Sequence, residues 1–135
     1  MRILVTGSTG FVGSQLCHQL YIDGYTVRAF HRTTSDLSVL QGLEIETAVG
    51  DVTEIDTLRD AMRDVDQVYH AAGQVSYWKD SSHMYETTVG GTKNVLRAAR
   101  EMGVGRVVYT SSTASLGVPE EPPFKAMDDP ICIDE

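Results

Sequence analysis

Three glycines spaced three residues apart stand near the start of this chain. Gly7, Gly10 and Gly13 follow the apolar run 3–5 and begin a helical pattern over 11–22. Between a strand and a helix, the first glycine permits a tight turn, the second lets backbone amides approach a pyrophosphate, and the third allows close packing of helix on strand. Because amides at a helix start attract anions, this turn predicts a dinucleotide cradle. The alternative is a tight turn that holds no ligand.

Five β-rich runs alternate with helical patterns along the sequence. The runs are 3–5, 25–30, 43–49, 65–69 and 106–109, and the helical patterns are 11–22, 53–62 and 82–102, with at most one further turn in 32–41. Parallel neighbours need right-handed crossovers, which helices provide. The sequence therefore predicts an α/β, Rossmann-type doubly wound parallel sheet of five strands in the order 3-2-1-4-5, with helices on both faces.

The pattern of strands and helices stops at Gly117. We predict that residues 1–117 form one dinucleotide-binding domain and that 118–135 form an irregular acidic tail. Three prolines within five residues, at 119, 122 and 123, prevent regular structure. The tail carries six acids against Lys125 alone, so much of the chain's net charge of -8 lies there. An exposed acidic strip is expected.

Charge and composition exclude several classes of protein. The net charge of -8 is unsuited to a nucleic-acid binder, which needs a basic face. No apolar stretch is long enough for a membrane span, and the opening apolar run is too short for a signal peptide. The sequence favours a cytoplasmic protein in which Cys17 and Cys132 are free thiols. The histidines have no partners at metal-ligand spacing, so no metal is predicted.

The tip of the second predicted strand distinguishes between the two nicotinamide dinucleotides. An acid commonly closes this strand and holds the ribose 2′-hydroxyl, but here the strand ends Phe30-His31-Arg32-Thr33, and Asp36 comes only later. Arg32, helped by Thr33, Ser35 or Arg28, could instead pair with a 2′-phosphate. The sequence predicts NADP as the cofactor, with NAD possible. Alternatively, Arg32 and Arg28 are solvated surface cations.

Four motifs in order resemble the extended branch of the short-chain dehydrogenase/reductase superfamily, the NAD(P)-dependent epimerases, dehydratases and reductases. The stretch Thr6-Gly7-Ser8-Thr9-Gly10-Phe11-Val12-Gly13 is similar to its TGxxGxxG motif. The others are Gly50-Asp51-Val52, Ala71-Ala72-Gly73 and Tyr109-Thr110-Ser111-Ser112-Thr113-Ala114. Within the branch, the stretches 27–32, 70–78 and 107–112 are most similar to dihydroflavonol-reductase-like proteins and hopanoid-associated sugar epimerases.

The resemblance implies roles for individual residues. It implies that the adenine contacts Asp51 and Val52, that the nicotinamide ribose lies along Ala71, Ala72 and Gly73, and that Ser112 is the catalytic hydroxyl that bonds the reacting oxygen. A plain turn at 111–113 is the alternative for Ser112. The cofactor-binding residues expected from the glycine turn, the tip of the second strand and these motifs are Gly7, Thr9, Gly10, Phe11, Val12, Arg32, Asp51, Val52, Ala71, Ala72 and Gly73.

Two features of the sequence depart from the family pattern. The family donates a proton from a tyrosine four residues before a lysine, and none of the six tyrosines here has that partner. We therefore expect these 135 residues to be the amino-terminal part of a longer enzyme and to be inactive alone. Thr88 stands where the family usually has an asparagine that orders the active-site helix.

His70, at a strand end, is interpreted as a core or supporting residue. Tyr77 and Trp78 either lie at the edge of the substrate pocket or pack beneath a loop.

The sequence thus predicts the NADP(H)-binding portion of an oxidoreductase or epimerase that transfers hydride to or from a carbonyl or carbinol of a small-molecule substrate. The substrate would be a dihydroflavonol-like ketone or a nucleotide sugar. The alternative is a non-catalytic NAD(P)-sensing protein of the same fold. Self-association through the exposed edge of the fifth strand, giving for example a homodimer, is a further expectation.

Overall fold

The computed structural model describes residues 1–73 and 84–112. The strands are β1 (Arg2–Thr6), β2 (Thr26–His31), β3 (Glu46–Val49), β4 (Gln67–His70) and β5 (Arg106–Tyr109). The helices are α1 (Phe11–Ile22), α2 (Ile55–Ala61) and α3 (Gly91–Glu101). A 3₁₀ turn covers Ser38–Leu40, and a π-helical turn, Glu86–Gly90, leads into α3.

The five strands form one parallel sheet in the order β3-β2-β1-β4-β5, which confirms the predicted topology. At its centre, Val5 of β1 pairs with Ala29 of β2 and with Tyr69 of β4. Because all strands run the same way, their carboxyl ends meet at one edge of the sheet. In a doubly wound sheet of this order, ligands bind at the carboxyl ends of the strands, next to the end of β1.

Both faces of the sheet are buried at β1, as a doubly wound fold requires. Along β1, Leu4 packs into the cluster beneath α2 and α3, whereas Ile3 and Val5 pack on the opposite side with α1. Cys17 of α1 lies wholly inside the second cluster. Burial raises the pKa of its thiol to about 12, so Cys17 is an inert core residue.

Several elements have bounds that differ from the prediction, most of all β3 and the helix predicted over 82–102. The single helical turn expected within 32–41 is the 3₁₀ turn, and β3 begins at Glu46 instead of residue 43. The amide of Leu43 donates to the Leu40 carbonyl at 3.2 Å, so the chain is still turning there, and it first pairs with β2 where Glu46 faces Arg28. The helix predicted over 82–102 is a π-helical turn followed by α3 from Gly91 onward.

Several predictions concern residues that the structure does not describe. The acidic tail 118–135, Cys132, Tyr77, Trp78 and Thr113 lie outside the described residues. Among the described residues, strand β5 pairs with β4 alone, and Val108 and Tyr109 are partly exposed on it. Self-association through this edge stays a prediction. Among the described helices, none is both long and apolar enough to span a membrane.

Candidate dinucleotide-binding site

A cavity of about 540 Å³ lies at the carboxyl ends of the strands, beside the glycine turn. Its size is typical of a small-molecule or cofactor site. Its walls are the ends of four strands or the loops after them, together with the π-helical turn. The lining residues are Gly7, Thr9, Gly10, Phe30, His31, Arg32, Ser35, Gly50, Asp51, Val52, Ala71, Ala72, Gly73 and Thr87.

Two of the three glycines leave no room for a side chain. Gly7 has a φ of +68°, and a Cβ there would lie 2.7 Å from the Ala72 nitrogen and 2.8 Å from the Ala71 carbonyl. A Cβ on Gly13 would overlap the Gly7 carbonyl oxygen and lie 2.6 Å from its carbon. The first glycine therefore lets β1 turn against the end of β4, and the third lets α1 pack on that turn.

The start of α1 presents backbone amides rather than side chains to an anion. The Gly10 amide donates to the Gly7 carbonyl at 2.9 Å, and the first bond of the helix is from Ser14 to the Gly10 carbonyl. The amides of Phe11, Val12 and Gly13 thus have no acceptor within the helix. The Phe11 side chain is 89% exposed, and neither Phe11 nor Val12 lines the cavity in the described part of the chain. Any contribution from these two residues is through their amides.

Ser8 holds the glycine turn against the neighbouring strand. Its side chain is completely buried, and its hydroxyl donates to the Phe30 carbonyl at 2.9 Å. Phe30 itself lines the cavity at the end of β2. No role was predicted for Ser8 or Phe30 from the sequence. The rule that ligands bind at the carboxyl ends of strands could have indicated Phe30, whereas no sequence pattern joins Ser8 to a residue 22 positions away.

At the tip of β2, Arg32 lines the cavity in a closed turn. Its amide donates to the Ser35 hydroxyl at 3.1 Å, and the Ser35 amide donates to the Arg32 carbonyl at 3.0 Å. Arg32 is the only arginine or lysine that lines this cavity within 1–73 and 84–112. The acid that follows is engaged elsewhere, because the Asp36 carboxylate accepts the Ser38 amide at 2.9 Å, and this hydrogen bond lowers the pKa of Asp36.

Arg28, the suggested helper of Arg32, is excluded from the site. Its guanidinium donates to the Glu46 carboxylate at 2.7 Å and to the Ala61 and Arg63 carbonyls at 2.7 and 2.9 Å. These partners lie on β3 and at the end of α2, where a cation favourably meets the free carbonyls of a helix. The interpretation of Arg28 as a phosphate ligand is therefore wrong. Thr33, the other neighbour considered, does not line the cavity formed by the described residues.

The loop after β3 holds Asp51 in one orientation. Its Oδ1 accepts from the Thr53 amide at 2.9 Å and from the Thr53 hydroxyl at 2.8 Å. The Thr57 hydroxyl lies 3.3 Å from the Asp51 amide and 3.1 Å from its carbonyl. Within the described residues Oδ2 has no hydrogen-bond partner, so this oxygen remains able to accept a hydrogen bond from a ligand in the cavity.

His70, at the end of β4, lies in a buried chain of hydrogen bonds. The Thr92 hydroxyl donates to the Thr88 carbonyl at 2.6 Å, so at 2.9 Å it accepts from Nε2–H of His70. Nδ1 is then the acceptor of the Thr6 hydroxyl at 2.7 Å. The Tyr109 ring stacks on the imidazole with centroids 5.3 Å apart. Burial lowers the pKa of His70 to about 4, which keeps the ring neutral and supports the interpretation of His70 as a core residue.

Nine of the eleven expected cofactor residues line the cavity, all except Phe11 and Val12. Ser112 is exposed just beyond β5 and does not line the cavity formed by the described residues. Thr87 of the π-helical turn is a lining residue that the sequence analysis did not select. Residues 1–73 and 84–112 contain no group of three His, Cys, Asp or Glu side chains able to hold a metal ion.

The residues fit a dinucleotide. The glycine turn keeps side chains out of the space next to three free amides, and one arginine and one oriented carboxylate line the same cavity. Such a cradle on a sheet of this order defines a Rossmann-type dinucleotide-binding protein. The model of the NAD dependent epimerase/dehydratase family matches residues 3–131, and the chain belongs to that family.

Known proteins support this assignment. The chain is 41% identical over 119 residues to sterol demethylase protein B of Methylococcus capsulatus and 44% identical over 115 residues to a putative dihydroflavonol 4-reductase of Synechocystis. These matches include 87% and 84% of this chain but 36% and 33% of the relatives. A short-chain dehydrogenase/reductase superfamily protein of Agrobacterium tumefaciens, solved with bound NAD, is 34% identical with a TM-score of 0.80, over 100% of this chain and 40% of that one.

Proposed function

We propose that this chain is the NADP(H)-binding portion of a cytoplasmic oxidoreductase or epimerase that acts by hydride transfer on a carbonyl or carbinol. The observation that carries the proposal is made just after β2. Arg32 lines the cavity there, whereas the Asp36 carboxylate accepts a hydrogen bond from the Ser38 amide. A 2′-phosphate next to Arg32 would form a charge-assisted pair with its guanidinium. The residues of this turn that line the cavity, Arg32 and Ser35, include no carboxylate that would repel the phosphate. The Ser35 hydroxyl lies in the same turn as a second polar group.

The remaining residues have distinct tasks in this proposal. Amides of the glycine turn and of the start of α1 bind the pyrophosphate, and Asp51 accepts a hydrogen bond from the adenine amino group. When bound, the nicotinamide ring supplies the hydride acceptor or donor. Ala71, Ala72 and Gly73 line the ribose on that side, and Ser112 binds the reacting oxygen of the substrate. The proposed substrate is a dihydroflavonol-like ketone, as the name of the Synechocystis relative suggests, or a nucleotide sugar, as for a UDP-glucose-4-epimerase of Stenotrophomonas maltophila of similar structure.

The cofactor preference is tested by replacing Arg32. We expect the unmodified chain to bind NADPH at least about 10-fold more tightly than NADH, and Arg32→Leu to weaken NADPH binding by about 10- to 100-fold, as expected for loss of a charge-assisted hydrogen bond. Binding of NADH should change by less than about threefold, since that ligand has no 2′-phosphate. Fluorescence titration of both reduced cofactors measures these values.

Arg100→Leu provides the matched control for this experiment. Arg100 is exposed in the last turn of α3, so the same substitution there changes net charge equally and should leave both affinities unchanged. If the unmodified chain binds NADH as well as NADPH, the proposed role of Arg32 is wrong. If it binds neither cofactor below millimolar concentration, the whole proposal is wrong.

A further inference from the structure

Asn94 of α3 connects that helix to the loop that carries Asp51. Its side-chain nitrogen lies 3.0 Å from the Val52 carbonyl oxygen and 3.1 Å from the Thr53 carbonyl oxygen. Because carbonyl oxygens only accept, the amide NH₂ must face them, and its two hydrogens serve two successive carbonyls. Asn94 is half-buried, and 41 or more residues of sequence separate it from these partners.

The same turn of α3 also packs against the side chain of Val52. A Cβ on Gly91 would lie 2.6 Å from Cγ2 of Val52, so the helix reaches the loop because residue 91 has no side chain. Val52 is 6% exposed and belongs to the core cluster beneath α3. The loop is thus held by an apolar contact at Gly91 and by two hydrogen bonds from Asn94, three residues further along the helix.

These contacts determine where the Asp51 carboxylate lies. Thr53 orients Asp51 by binding Oδ1 twice, and the Thr53 carbonyl is one of the two groups that Asn94 holds. Without the Asn94 amide, both carbonyls would lose a donor in a partly buried position, and the loop would shift to find other partners. The carboxylate would move with Thr53 away from its place in the cavity wall.

We propose that Asn94 is a positioning residue for recognition of the adenine base: it fixes the loop 51–53 so that Asp51 can accept from the adenine amino group. This inference rests on the proposed function, since it assumes that the adenine end of a nicotinamide dinucleotide lies against Asp51. Asn94 itself does not line the cavity within the described residues. Its effect on base recognition is exerted through the loop.

The test compares NADPH with its hypoxanthine analogue, in which a carbonyl oxygen replaces the adenine amino group. The unmodified chain should prefer NADPH by about 10-fold, because at position 6 the analogue has a carbonyl oxygen, which only accepts, in place of the amino group that donates to the carboxylate. Asn94→Leu, of similar size but without donors, should reduce this preference to about twofold or less. A merely structural role would lower stability without changing the ratio of the two dissociation constants, so this ratio is the decisive measurement.

Two further variants complete the experiment. Lys93→Leu introduces the same side chain at the neighbouring, exposed position of α3 and should keep the 10-fold preference. Asn94→Ala is the second variant in case leucine prevents folding, because the space it leaves can admit water to both carbonyls. Water satisfies the carbonyls without joining the loop to α3, so this variant should lower the preference as well. Urea unfolding of each protein establishes that it is folded during the titrations.

The outcomes separate this inference from the proposed function. A preference that is present in the unmodified chain and in Lys93→Leu but lost in both Asn94 variants supports the positioning role. A preference that persists in the Asn94 variants overturns it and leaves the proposed function intact. If the unmodified chain binds NADPH without distinguishing the analogue, the adenine does not contact Asp51, and both this inference and that part of the proposed function fail.

Discussion

Gly13→Ala should unfold the protein or reduce its free energy of unfolding by more than about 4 kcal/mol, which is an exceptional loss for one substitution. The added Cβ would overlap the Gly7 carbonyl oxygen and approach its carbon to 2.6 Å. Both atoms belong to the backbone, so no side-chain rotation relieves the overlap, and α1 must move away from β1. Urea denaturation followed by far-ultraviolet circular dichroism measures the change.

Gly90→Ala is the matched control for this substitution. Gly90 has ordinary helical angles, φ -61° and ψ -48°, and a Cβ there would approach none of the neighbouring elements among residues 1–73 and 84–112 within 4 Å. Alanine should therefore leave the stability unchanged or raise it by about 0.5 to 1 kcal/mol, because it restricts the unfolded chain. Equal unfolding midpoints for Gly13→Ala and the unmodified protein would show that α1 does not pack on the glycine turn as described.

Acidification should destabilise the protein through His70 by about 3 kcal/mol between pH 6.5 and pH 4. In the unfolded chain the imidazole gains a proton near its ordinary pKa of 6.5, whereas in the folded chain burial lowers the pKa of His70 to about 4. Between these values the unfolded state binds more protons, so stability falls as the pH falls. The size of this loss in the free energy of unfolding follows from about 1.4 kcal/mol for each pH unit between the two pKa values.

The comparison protein for this prediction is His70→Gln, which has no titrating group at this position. It should be less stable at pH 7, because the hydrogen bonds to Thr6 and Thr92 are altered, but its stability should change less between pH 6.5 and pH 4. Carboxylates titrate in both proteins and cancel in the difference. Urea denaturation at half-unit pH steps gives the two curves, and parallel curves would contradict the assignment of a neutral, buried His70.

The sheet order and the glycine turn could be predicted because local signals determine both. Alternating strands and helices force crossover connections, whose handedness limits the strand order to very few choices. The glycines follow a strand and begin a helix, so the tightness of the turn could be inferred from their spacing. The start of β3 was predicted three residues too early because the chain still turns through Gly42, whose φ is +87°, and first pairs with β2 at Glu46.

Arg28 within β2 and Arg32 just after it show what the residue pattern of a strand does not predict. Arg28 and Arg32 are four residues apart. Because successive side chains of a strand point to opposite faces of the sheet, the sequence pattern assigns both arginines to the same face and does not distinguish their roles. The end of α2 does distinguish them. Its free carbonyls lie beside Arg28 and bind it together with Glu46, whereas the turn after His31 places Arg32 at the cavity.

The sequence by itself determined the fold, the anion cradle and most of the residues that line the cavity, because each depends on neighbours within a few positions of the chain. Only the tertiary structure decided which polar groups support them. His70 meets Thr6 across 64 residues, and Asn94 meets the Val52 carbonyl across 42. Hydrogen bonds of this kind depend on distances between separate elements, and those distances are determined only when β4 pairs with β1 and α3 packs on the sheet.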